Sequence, residues 1–138
     1  MLRKVFATIV GIFIAGVVTG LVQMGSHALW PPPATMDPND MASIAAHMAQ
    51  IPLPALLAIP VSWGGGTLVG AAFATRMGLS RGAAPAVVLT VVQSLSGIAV
   101  LLMIPHPLWL ALLGMASFYV CGAVGYAVGR ALIPWDAA

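Results

Sequence analysis

Residues 30–50 read WPPPATMDPNDMASIAAHMAQ, the one sizeable polar segment in a chain otherwise built from long apolar runs. Pro31, Pro32 and Pro33 have no backbone N–H and favour an extended conformation, so a helix arriving from the N-terminal side must stop near Trp30. Asp37-Pro38-Asn39-Asp40 has the form of a helix start: Asp37 as N-cap, Pro38 at the first helical position where no donor is needed, and Asp40 facing the positive end of the dipole. The spacing predicts a short helix over 38–50, with Met41, Ile44, Ala45 and Met48 on one face and Ser43, His47 and Gln50 on another. It is far too short to cross a bilayer, so it is expected to lie at the membrane interface or to cover a helix bundle.

Working outward, composition sets the class. Hydrophobic residues make up 61% and charged residues 6%, where soluble domains carry about a quarter charged. The net charge of +2 is too small and too scattered for nucleic-acid binding. The single cysteine, Cys121, excludes an intrachain disulfide and any CxxC redox or zinc pattern. The apolar runs predict an all-α integral membrane protein: one domain over 1–138, a four-helix bundle with spans at about 5–29, 53–75, 83–104 and 108–128. The first run is too long for a signal peptide, although Ser26-His27-Ala28 has the look of a cleavage site. Pro54 and Pro60 are expected to kink or break the second span, whose ordered part would then begin near Pro60. Pro85 falls in the first turn of the third span, where it is tolerated, and Pro105-His106-Pro107 closes that span tightly.

Basic residues give an orientation. Threaded with the N-terminus inside, the spans put Arg3, Lys4, Arg76, Arg81 and Arg130 on the cytoplasmic side, an N-in/C-in arrangement in a cytoplasmic membrane. Residues 31–52 then lie outside with Asp37, Asp40, His27, His47 and His106. Trp30 and Trp109 fall at the outer interface and Trp135 at the inner one, whereas Trp63 fits such a belt only if the second helix starts late.

Small residues predict how the helices pack. Gly16 and Gly20, Gly66 and Gly70, and Gly125 and Gly129 all have GxxxG spacing, which lets backbones approach closely where lipid gives no hydrophobic drive. Gly64, Gly65 and Gly122 add to these grooves. The third span offers Gln93, Ser94, Ser96 and Gly97 for interhelical hydrogen bonds worth about 0.6–2 kcal/mol each. Gln93 reads as interhelical glue in preference to a solute site.

Chemistry starts from an absence: no Asp, Glu, Lys, Arg or His lies in the middle of a span, where ion-coupled transporters and proton relays need one. Gly64-Gly65-Gly66 lacks the following Gly-Lys-Ser/Thr of a phosphate loop. Ser62, Ser94, Ser96, Ser117, Tyr119, Tyr126 and Cys121 have no in-span base to activate them, so no enzyme is expected. The sharpest candidate is the outer group of His27, His47 and His106 with Met24, Met36, Met41, Met48 and Met103, a soft thioether and imidazole set suited to Cu(I). His27, His47, His106, Met24 and Met48 are the expected ligands in that reading, against a plainer one in which the methionines are apolar-face residues and the histidines amphipathic boundary groups. Haem ligation by His27 and His106 is disfavoured because both fall near water.

His27-Ala28-Leu29-Trp30-Pro31-Pro32-Pro33 with Met36-Asp37-Pro38-Asn39-Asp40 resembles a group of small, uncharacterised four-span bacterial membrane proteins, over about half the chain from the first span through the second. The resemblance implies the same bundle and topology in a bacterial inner membrane, and no particular activity. Gly65 to Ala72 followed by Arg76 faintly resembles a fluoride-channel glycine motif, but the pore Asn and the Phe-rich segment are missing. The membrane-embedded Glu of small multidrug exporters is missing from the first helix. The expected function is a non-catalytic accessory subunit, without cofactor, that packs against other membrane proteins or a second copy, in a setting such as a respiratory or photosynthetic complex. The alternative is a small-solute or copper-binding or transport module.

Overall fold

A computed structural model describes residues 1–37, 39–79, 82–104 and 106–134. Pro38, Ser80, Arg81, Pro105 and Trp135–Ala138 lie outside the described residues, and with them the expected roles of Pro38 at the helix start, Arg81 at the basic end and Trp135 in the belt. Every regular element described is helical: α1 (Leu2–Leu29), α2 (Met41–His47) running into a 3-10 turn (Met48–Gln50), α3 (Leu53–Met77), α4 (Ala84–Met103) and α5 (Leu108–Ala131). Four of them, α1, α3, α4 and α5, are long and apolar enough to cross a membrane.

The element boundaries follow from local chemistry. At the end of α1, Trp30 leaves the helical region with φ −130° and ψ 77°, as a residue before proline must. α3 corrects an expectation: its ordered part begins at Leu53, with Pro54 in the first turn, and it runs without interruption through Pro60. Proline costs the helix one hydrogen bond there, but within lipid a break would strand several backbone groups where no water can reach them. Ser62 Oγ donates to the Ile59 carbonyl (2.7 Å) just beyond the proline. An early-starting α3 also places Trp63 within the bundle, not in an interfacial belt: it is buried and stacks on Phe118 with ring centroids 5.0 Å apart.

α3 is the central helix, packed chiefly on α1 and α5 and less extensively on α4, which also touches α1 and α5. Small residues make this possible. Along the α1–α3 seam a Cβ on Gly70 would fall 2.9 Å from Ala15 Cβ, and one on Gly66 would strike the Ala15 carbonyl and Thr19 Oγ1. Further along, Thr19 Oγ1 donates to the Ser62 carbonyl (3.1 Å) and Gln23 Nε2 to Ser62 Oγ (3.1 Å). Residues later in α1 therefore meet residues earlier in α3, and the two helices are antiparallel. At the other end of the seam Arg3 Nε donates to the Met77 carbonyl (2.8 Å), a cation on the negative end of the α3 dipole.

The α3–α5 seam runs the other way: Gly64 faces Ser117 and Cys121, Gly125 faces the Leu68 carbonyl, and Gly129 faces the Ala72 carbonyl. Later residues meet later residues, so these two helices are parallel. α4 closes against α5 through Gly122 on Thr90 and Gly97 on Phe118. Leu89, fully buried, contacts Gly11 and Gly70 and forms the core with Ala71, Ala74 and Ala86. The start of α1 and the ends of α3 and α5 thus share one end of the bundle, with Arg3, Lys4, Arg76 and Arg130. The opposite end carries the proline segment, Asp37 and Asp40.

Candidate functional site

The proline end holds a cavity of about 560 Å³ with mostly apolar walls. It lies where the end of α1 (Gln23, Ser26, His27) diverges from the first half of α3 (Leu56, Ile59, Trp63) and the end of α4. Trp30 and the three prolines form a wall, and Ile44 and Met48 present the apolar face of the short helix to it. The volume is within the usual range of small-molecule sites, and a position between bundle helices is a common one for them.

The short helix is held by specific bonds. Asp40, with extended backbone, caps α2 by accepting from Ala42 N–H at 2.9 Å. This corrects the assignment of Asp37 as cap: the helix starts at Met41, and Asp37 instead organises the preceding turn. Asp37 Oδ1 accepts from Asn39 N–H (2.9 Å), and Asp37 N–H donates to Ser43 Oγ (2.9 Å). His47 ties the loop to the helix. Because a carbonyl can only accept, the 2.8 Å contact with the Ser43 carbonyl puts a proton on Nδ1, while Nε2 pairs with Thr35 Oγ1 at 3.0 Å.

The five expected metal ligands do not converge. His27 and Met48 line the cavity, as does His106, whose Nδ1–H donates to the Ile104 carbonyl (2.7 Å). His47 has both ring nitrogens committed, and Met24 is 70% exposed on the outside of α1. Met36 joins the lining, and no group of three or more His, Cys, Asp or Glu positioned to hold a metal occurs among the described residues.

Of the expected packing residues, Gly66, Gly70, Gly125 and Gly129 sit in close helix contacts, whereas nothing stands within 4 Å of a Cβ built on Gly16 or Gly20. The contact surface of α1 is Gly11, Ala15 and Thr19, one helix face away. Gly65 likewise has no neighbour within 4 Å. Gln93 is half-buried and forms no hydrogen bond among the described residues. The hydroxyls of Ser94, Ser96 and Ser117 are spent on their own helices, donating to the Thr90, Val92 and Gly114 carbonyls. No family model, curated protein or solved structure matches the chain.

Proposed function

We propose that the protein is a non-catalytic accessory subunit of the bacterial inner membrane that binds another transmembrane helix, from a partner subunit or a second copy, along the outer face of α1. The observation that carries this reading is the open notch at Gly16 and Gly20, flanked by exposed Phe13, Val17 and Leu21. α1 is also the least buried of the long helices, with 17% of its most apolar stretch inside the molecule against 44% for α3. A glycine notch between bulky side chains lets a second backbone approach closely, which is what drives helix association in lipid. In this reading the basic end faces the cytoplasm and residues 31–52 lie outside, with the short helix at the interface; a respiratory or photosynthetic complex is one setting that suits such a subunit. Purification from membranes in mild detergent at native abundance is expected to recover a stoichiometric partner or a dimer, and Gly16→Leu with Gly20→Leu to release it. A monomer without companion in both proteins would end the proposal.

A second reading has support from the cavity, where His27, His106, Met36 and Met48 share one lining: a solute- or copper-binding module at the outer end. Its metal form predicts heat on titration with Cu(I) that disappears in His27→Ala with His106→Ala and survives His47→Ala. Equal heats from all three proteins would eliminate the metal.

A further inference from the structure

Two side chains bordering the proline-end cavity are more than nine-tenths buried and yet hold polar atoms without a partner. Trp63 is 7% exposed and Ser26 is 6% exposed, and both line the cavity. Neither the indole N–H nor the hydroxyl forms a hydrogen bond among the described residues. Neither is sealed in protein, because among the described residues the side-chain polar atom that is both sealed and unpaired is Thr75 Oγ1. Both residues line the cavity, which is the open space they share. The setting of Trp63 agrees: the benzo edge of its ring is wedged between α4 and α5, Cζ3 lying 2.8 Å from a Cβ built on Gly114 and 3.4 Å from one on Gly97. The indole N–H is on the opposite edge of the ring. Gln23, one turn before Ser26 on α1, is anchored through its amide nitrogen to Ser62 at 3.1 Å.

A donor that faces an apolar space without an acceptor is unfavourable, and two of them beside one cavity mark where an acceptor belongs. We propose that the cavity binds a small lipophilic molecule carrying a carbonyl oxygen, which accepts from Trp63 N–H and Ser26 O–H while its hydrocarbon packs on Trp30, Leu56 and Ile59. The carbonyl belongs either to a bilayer lipid ester whose chain enters the cavity or to a free lipophilic ketone. This narrows the solute form of the second reading above, shares only its location, and requires neither histidine nor metal.

The test uses the full-length protein in nanodiscs of ester-linked phospholipid and, separately, of ether-linked phospholipid, which has no carbonyl. Benzophenone is added over a concentration series and photolysed, and the labelled peptides are identified by mass spectrometry. The expected result is saturable labelling of cavity residues, displaced by dibenzyl ketone at about fivefold lower concentration than by the same skeleton with methylene in place of carbonyl, the worth of roughly one net hydrogen bond. Labelling in both kinds of disc identifies a free-ligand site; labelling confined to ether discs identifies the bilayer ester as occupant. Trp63→Phe with Ser26→Ala should abolish the difference between the two competitors. Ala55→Trp, which fills the cavity and leaves both donors in place, should abolish labelling whether or not the first variant folds. Copper calorimetry on the same samples is indifferent to all of this, so loss of the metal reading and loss of this one are separately visible. Absence of saturable labelling in both discs, equal competition by ketone and hydrocarbon in the wild-type protein, or undiminished labelling in Ala55→Trp overturns the proposal.

Discussion

At Asp37 and Asp40 one residue type in one short segment performs different tasks, and the sequence order alone favours the wrong one. Asp37 followed by Pro38 has the better cap signature, but the carboxylate that reaches an N–H of the helix's first turn belongs to Asp40. Asp37 spends its carboxylate on Asn39 and its own N–H on Ser43, a bond across six residues that no local pattern announces. Asp40→Ala should therefore cost the helix about 1 kcal/mol, seen as roughly fivefold faster amide exchange over 41–50, with a smaller change in Asp37→Ala. The reverse order of effects would restore Asp37 as the cap. His47 teaches the same lesson: as a histidine near methionines it reads as a ligand, whereas its partners Thr35 and Ser43 make it a staple between loop and helix. The unpaired donors at Trp63 and Ser26 were likewise illegible, since the sequence does not say which polar atoms end up without partners.

At the scale of elements, the bounds of the four long helices were legible to within a few residues, the ordered start of α3 excepted, because hydropathy and proline placement act locally. The face each helix turns inward was legible only where glycines mark it. On α3 and α5 the GxxxG pairs Gly66 with Gly70 and Gly125 with Gly129 coincide with the contacts. On α1 the seam is Gly11-xxx-Ala15-xxx-Thr19, a small-residue repeat that a search for glycine pairs passes over in favour of Gly16 and Gly20. The two faces predict opposite responses to one added methyl. Gly70→Ala places a Cβ 2.5 Å from the Gly11 carbonyl oxygen and should destabilise by about 1–3 kcal/mol through overpacking. Gly16→Ala meets nothing within 4 Å and should leave the isolated chain unchanged or stabilise it by up to about 1 kcal/mol from helix propensity. Thermal unfolding in detergent measures both; equal losses would mean that α1 packs through another face. Pro60 belongs here as well: its local propensity argues for a break, and the hydrogen-bonding demands of an apolar surrounding override it.

For the whole molecule, helix register decides how charge is distributed, and charge in turn proposes a side. The antiparallel α1–α3 seam and the parallel α3–α5 seam bring Arg3, Lys4, Arg76 and Arg130 to one end, while Asp37 and Asp40 stand at the other. Grouping cations at one end is not required for packing, since among the described residues Arg3 is the one cation of this group that bonds across helices, to the Met77 carbonyl. It is the pattern that the proposed N-in/C-in orientation calls for, with positively charged segments retained on the side of synthesis. Cys121 is the chain's single cysteine, so a Cys121→Ala background permits a direct measurement with Thr35→Cys in the proline loop and Ala83→Cys at the start of α4, both exposed positions. A membrane-impermeant maleimide should label Thr35→Cys in cells whose outer membrane alone has been opened, and Ala83→Cys only after the inner membrane is lysed. Exchanged labelling would invert the orientation while leaving the bundle intact. Labelling of both positions from the same side would break the alternation of crossings on which the proposed outward placement of the cavity depends.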